Sequence, residues 1–254
     1  MQKYLTISSY VFRVFFPGII HNSILDLDAH SQYSIIGAFE QLNRLGCNFI
    51  QIRIFEKVNK QYLIDLLRLG EFSFKGVEII IHASNIEDSN HSLSSFLNIL
   101  NLNQIVIHGD SIDKTYENNS CSIIHQIINI TSESHCGVVS HVHFEANRSL
   151  FTESHHFNNC LNNKISIDKH GNICNCPSLP EKFGSIDEHQ IVDVMKENQD
   201  IRKFWLTTKD QIDICKDCEF RYICTDCRAY VLNGNNSKPI KCNYDPYKGK
   251  WLAK

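Results

Sequence analysis

Three apolar runs rich in β-branched residues begin their cores at Phe49, Val77 and Ile105, 28 residues apart each time. A strand, a helix and two short connections occupy about that length, and a βαβ unit forces its strands to lie parallel. The segments between the runs carry helical periodicity. Ser34–Leu45 places Ile35, Ala38, Phe39, Leu42 and Leu45 on one face, with Gly46 where a helix ends. Asn59–Leu69 repeats the pattern with Leu63, Leu66 and Leu67, then Gly70. Ser23–Asp28 reads as a strand before the series, Ser92–Leu100 as a helix within it, and Ser122–Thr131 and Gly137–Phe144 as strands after it. The expected fold is α/β: a partial (β/α) barrel-like body of four to six strands over residues 1–159. A complete eightfold barrel needs ~200 residues or more.

From Cys160 the chemistry of the chain changes. Of 11 cysteines, Cys47, Cys121 and Cys136 are scattered through the body, and eight fall between Cys160 and Cys242. Lys164–Asp168 and Asn172–Cys176 read as a β-hairpin turning at Gly171, with Cys174 and Cys176 on one face of the returning strand. A mostly helical stretch, Asp187–Leu206, leads to Cys215, Cys218, Cys224 and Cys227, two CxxC pairs separated by five residues, and then to Cys242. A CxxC turn lets two thiolates converge on one metal or cluster. An odd cysteine total fits a fully paired disulfide framework poorly, and clustered thiols in a reducing compartment point to metal. A closed Cys₄ zinc site is one reading. Two [4Fe–4S] cubes, each taking four thiolates, use all eight.

Charge and targeting exclude several classes. The formal net charge is −3, with 10 basic against 15 acidic residues before Cys160 and 15 against 13 from it onward. That leaves no electrostatic footprint for nucleic acid. The apolar start is interrupted by Arg13, without a small-residue cleavage site after it, which argues against a signal peptide. The sequence lacks an apolar run of the ~18 residues a spanning helix needs, so neither a membrane nor a nucleic acid is an expected partner, and the expected location is the cytoplasm. The turns carry neither a GxGxxG nor a GxxxxGK[ST] fingerprint, which argues against an NAD or ATP site.

The order of Cys160, the Gly171 hairpin with Cys174 and Cys176, CxxC–x5–CxxC and the final Cys242 resembles the SPASM domain of radical-SAM peptide-modifying enzymes. More narrowly, CLNNKISIDKHGNICNCPS, FGSIDE, DQIDICKDCEFRYICTDCRAY and KCNYDPYKGKW resemble the SPASM-domain peptide maturases of grasp-with-spasm systems. HCGVVSHVHFEANRSLFTESHHFNNC shares that likeness, which extends from about residue 20 to the end. The resemblance implies a cysteine-rich SPASM domain over residues 160–254 with a β-hairpin and helices. It implies one auxiliary cluster on Cys160, Cys174, Cys176 and Cys227, and a second on Cys215, Cys218, Cys224 and Cys242. It also implies a precursor peptide as substrate and an ATP-grasp ligase of the same cassette as partner. The family spaces its last pair x3 where this chain has x2, which shortens the step between the two sets and leaves their partition open.

A radical-SAM enzyme also needs CxxxCxxC, three thiolates that leave one iron free for S-adenosylmethionine. Cys47, Cys121 and Cys136 do not have that spacing, so they are read as structural thiols and S-adenosylmethionine is not an expected cofactor. The chain is thus expected to be maturase-like with its catalytic residues unassigned. A non-catalytic peptide-binding scaffold with structural cysteine sites is the alternative. Secondary candidates are a metal on His141 and His143 or near His155–His156, and acid–base roles for Glu133, Glu145 and Glu153. Phe220, Tyr222 and Tyr230 are expected to cover a cluster, and Arg221 and Arg228 to meet cluster sulfides or acidic peptide side chains.

Overall fold

Strand β1 (Asn22–Leu27) has every residue buried and is paired in parallel on both sides, with β2 (Phe49–Ile54) on one flank and β7 (Lys164–Ile167) on the other. The computed structural model describes residues 19–86, 93–118, 120–232, 234 and 236–252. The apolar start as far as Gly18, with its bearing on a signal peptide, and Ser92 at the head of the expected third helix lie outside the described residues. Among those described, no helix is long and apolar enough to cross a membrane.

The 28-residue step yields the expected parallel pairing. β3 (Gly76–His82), β4 (Leu102–His108) and β6 (Cys121–Gln126) extend the sheet from β2, so that six strands run parallel in the order β6-β4-β3-β2-β1-β7. Two antiparallel strands finish it: β5 (Lys114–Asn118) beside β6, and the two-residue β8 (Ile173–Cys174) beside β7. The sheet therefore has eight strands and takes them from both sides of residue 160.

The first helices form as their patterns indicate. Ser34 caps α1 (Ile35–Arg44) by accepting the Gly37 amide at 3.0 Å, and Gly46 ends the turn at φ 72°. Asn59 caps α2 (Lys60–Leu67) in the same way, through the Gln61 amide at 2.9 Å. α3 is short, Leu93–Phe96. Ile35, Ala38, Phe39, Leu42, Leu63, Leu66 and Phe96 join one large core with Leu25, Ile52, Ile79, Ile105 and Ile165 from the strands.

The opposite sheet face is mixed. Phe55, Ile80, Val106, Ile124 and Ile130 make a smaller apolar cluster there. Alternation along β1 to β3 puts Asp26, Gln51, Arg53 and Glu78 on the same face. Arg53 is 2% exposed and binds both Asp26 oxygens, at 2.6 and 2.7 Å. Burial opposes its charge, but the adjoining carboxylate outweighs that and holds the guanidinium above its ordinary range.

Three segments depart from their sequence reading. Gly137–Phe144 is not a strand. Gly137 turns the chain at φ 81°, Val139 makes one isolated bridge to Cys242, and His141–His143 form a 3₁₀ turn. Ser122–Thr131 stays extended only to Gln126, because the chain then bends and the Gly109 amide takes the Ile128 carbonyl. Asp187–Leu206 is helical over α5 (Ile191–Glu197) and a 3₁₀ turn at Gln199–Arg202. Strand β5 and helix α4 (Arg148–Ser154) lay outside the reading; β5, KTYEN, is exposed throughout and has no apolar alternation to betray it.

Glu78 gives the sheet a pH dependence. Gln51 Nε2 donates to Glu78 Oε2 at 2.8 Å, and burial pushes the carboxyl up to about 7 from its ordinary 4.5. The folded state therefore holds this proton more tightly than the unfolded chain, so stability is lost as pH rises from 4.5 through about 7. At roughly 1.4 kcal/mol per pH unit, the loss is on the order of 3 kcal/mol. In urea titrations Glu78→Gln is expected to flatten this slope between pH 5 and 8 and to be more stable than the wild type at pH 8. An unchanged slope would remove Glu78 as its source.

Candidate metal centre

Cys215, Cys218, Cys224 and Cys242 border a single pocket, although Cys242 is remote from the others in sequence. Local turns bring the first three together. Cys215–Asp217 form a 3₁₀ turn from which the Cys218 amide donates to the Cys215 carbonyl at 3.0 Å, and the Cys224 amide donates back to Phe220 at 3.0 Å. Cys242 joins through the Val139 bridge and the hairpin of β9 (Tyr244–Asp245) and β10 (Lys250–Trp251). Phe144, Phe220 and Tyr244 wall the pocket with ring centroids 5.1–5.2 Å apart, and Trp251 packs behind Tyr244 at 5.1 Å. Burial pushes Cys215 up to about 11 and Cys224 up to about 12, against the opposing pull of the Lys209 ammonium.

Cys160, Cys176 and Cys227 make a second group. Burial raises Cys227, and the neighbouring Cys160, Cys136 and Cys176 thiols raise it further. Cys176 is pushed up to about 11 by burial and by Cys136 and Cys160. Lys164 Nζ lies 3.8 Å from the Cys160 sulfur. Cys136, expected to be a structural thiol, thus stands among the tail cysteines. Cys174 is 0% exposed on β8, where its thiol donates to the Ser166 carbonyl at 3.5 Å and lies near Lys182, Cys176 and Asp168. Cys47 and Cys121 belong to the large apolar core, and burial lifts Cys47 to about 12. All eleven cysteines are free thiols. Among the described residues, no three His, Cys, Asp or Glu side chains are grouped closely enough to hold a single metal ion.

A buried polar network fixes the loop between the two groups. Asn159 Nδ2 donates to the Cys224 carbonyl at 2.9 Å, and Asn159 Oδ1 accepts the Asp226 amide at 3.1 Å. Asn158 Nδ2 reaches Asp226 Oδ2 at 2.9 Å, while Asn158 Oδ1 accepts the Cys160 amide at 3.0 Å. Asp226 meets Arg228 at 2.8 Å and Lys209 at 3.8 Å, and Lys209 also donates to the Cys224 carbonyl at 3.0 Å. Sequence reading missed Asn158, Asn159, Lys209 and Asp226. Asn158, Asn159 and Asp226 had as their only signal their place immediately beside Cys160 and Cys227, and Lys209 had none.

The secondary candidates take structural places. His143 Nδ1 faces the Val138 carbonyl at 3.3 Å, and His141 packs near Trp251. His155 stacks on Tyr222 at 3.8 Å, so Tyr222 turns toward α4 and Asp210 and away from the pocket. Phe220 and Tyr230 do border the cysteine groups. Arg221 is occupied by Asp210 and the Cys218 carbonyl, each at 3.1 Å. Glu133 offers its backbone carbonyl to Tyr230, Glu153 binds Asn162 at 2.9 Å, and burial raises the Glu145 carboxyl. No family model, curated protein or solved structure matches the chain.

Asp226 is 1% exposed against the similarly buried Lys209 and Arg228, so its removal leaves buried cations without their carboxylate. Asp226→Ala is expected to cost about 3–5 kcal/mol in denaturant unfolding, as breaking a buried pair does. A cost below about 1 kcal/mol, the range of a surface pair, would show that the network does not hold the loop.

Proposed function

We propose that this chain is the SPASM-type component of a ribosomal-peptide maturation cassette. In this reading it carries two auxiliary [4Fe–4S] clusters in the cytoplasm and acts on or presents a precursor peptide alongside an ATP-grasp ligase. The observation that carries the reading is the pocket shared by Cys215, Cys218, Cys224 and Cys242, a set drawn together from two separate stretches of chain. A cube is bound at separate corner irons, so its thiolates surround a volume instead of meeting at one point. Four cysteines around one pocket fit that demand, and the neighbouring aromatic rings would shield the cluster from water. Each thiol must surrender its proton on binding, so loading becomes stronger as pH rises.

The assignment to this cassette rests on the sequence motifs. The resemblance supplies the peptide and the ligase as partners. Cys47 and Cys121 are packed in the core, far in character from the open-iron site of a radical-SAM enzyme. Presentation is favoured over catalysis by one feature of the site: the side chains of Glu153 and Arg221, two of its candidate acid–base and recognition groups, are engaged in holding the fold. The alternative is therefore a non-catalytic peptide-binding scaffold whose cysteine sites are structural, with iron–sulfur or zinc.

Anaerobic reconstitution tests the reading. About eight iron and eight acid-labile sulfide per chain are expected for two cubes. About two zinc with no sulfide would sink the iron–sulfur assignment in favour of closed Cys₄ sites. The loaded chain should also retain a precursor peptide and an ATP-grasp ligase in a co-purification, and loss of both would remove the cassette reading.

A further inference from the structure

We infer that Cys136, from the loop after β6, and not Cys174 completes a four-thiol iron–sulfur site with Cys160, Cys176 and Cys227. The inference rests on the two-cluster reading and changes its ligand set. Gly137 lies directly against the Cys227 sulfur: a Cβ on Gly137 would stand 2.8 Å from that atom and 2.9 Å from the Tyr230 ring. At φ 81° the glycine also accepts a backbone turn that other residues rarely adopt. The chain thus approaches Cys227 as closely as a backbone can, immediately after Cys136.

The loop is tied down from three directions. Tyr230 donates its hydroxyl to the Glu133 carbonyl at 3.1 Å and bonds Ser178 Oγ at 3.0 Å, two residues beyond Cys176. Lys241 Nζ reaches the Cys136 carbonyl at 2.6 Å while lying 3.5 Å from the centre of the Tyr230 ring. Val139 bridges to Cys242. These contacts fasten the Cys136 loop to the segments bearing Cys176 and Cys227. The same surroundings act on neighbouring groups: Tyr230 is pushed up to about 12 by burial, with Cys136, Cys227 and Cys176 adding to the shift.

Contacts separate the two candidates for fourth ligand. Cys136 directly precedes Gly137, whose backbone lies against the Cys227 sulfur. Cys174 is 0% exposed and its thiol is bonded to Ser166 across the β7–β8 pair. Joining the group would cost Cys174 that hydrogen bond. Binding through the inferred set needs four thiols to lose four protons, with two ferric ions, two ferrous ions and four sulfides supplied from solution. It involves no change of sheet structure.

The test uses the full chain, reconstituted anaerobically with ferric iron, dithiothreitol and sulfide, as wild type and as Cys136→Ala, Cys174→Ala and Cys227→Ala. Wild type and Cys174→Ala should each hold about eight iron, while Cys136→Ala and Cys227→Ala should fall to about four. The four that remain report a folded second site, so misfolding is distinguished from ligand loss. Iodoacetamide mapping by mass spectrometry gives an independent readout on the unaltered protein. Cys136 should be protected when iron is bound and labelled after chelation, and Cys174 should be protected in both states. Retention of eight iron by Cys136→Ala together with loss in Cys174→Ala would overturn the inference and leave the two-cluster reading standing. A wild-type chain that takes up no iron and sulfide would overturn both.

Discussion

The pairing of β1 with β7 is the constraint on which the rest of this molecule depends. Strand β1 is buried throughout, so both of its edges need partners, since unpaired backbone groups away from water are costly. One partner comes from the next β/α unit and the other from just past Cys160. The contacts around this join are specific. The His21 amide donates to the Asn163 carbonyl at 2.8 Å, Asp187 accepts the Ser34 amide at 3.0 Å, and Gln41 Oε1 accepts the Ile191 amide at 2.8 Å. The helix that closes the body's core is thereby oriented by the tail, and the β7–β8 turn that delivers Cys176 is oriented by the body.

The cysteine groups inherit their positions from this arrangement. Cys176 follows β8 directly, and Cys160 lies just before β7, so two members of one group flank a pair of strands fixed in the sheet. Cys227 is placed by the network of Asn158, Asn159 and Asp226, which joins the residues next to Cys160 to the carbonyl of Cys224. Neither group is a free-standing knuckle. One is built partly from sheet, and both share the 224–227 loop.

Much of this was legible in the sequence, for identifiable reasons. The parallel strands were visible because their core-facing residues are mostly isoleucine, leucine and valine, and the 28-residue step located them. The family resemblance implied a set of Cys215, Cys218, Cys224 and Cys242 with the partition left open, and these four line one pocket. Gly137–Phe144 misled because its valines and histidines alternate as a strand would, whereas Gly137 and the Cys242 bridge make it a loop. Cys136 was set aside because sequence spacing counts only local neighbours. Its proximity to Cys227 depends on how a loop after β6 crosses the sheet. The buried charges of Lys209 and Asp226 were illegible for a related reason, since a polar residue reveals its burial only when its partner is known.

The two ends of the sheet show a final consequence. Strand β5 presents Lys114 and Glu117 along a wholly exposed edge, and β8 is two residues long, with the Ile173 amide and carbonyl taken by Gly184 and Phe183. A charged edge and a truncated, covered one are poor templates for another strand. An eight-stranded sheet with one largely apolar face is thus protected at both margins against joining a second copy of itself edge to edge.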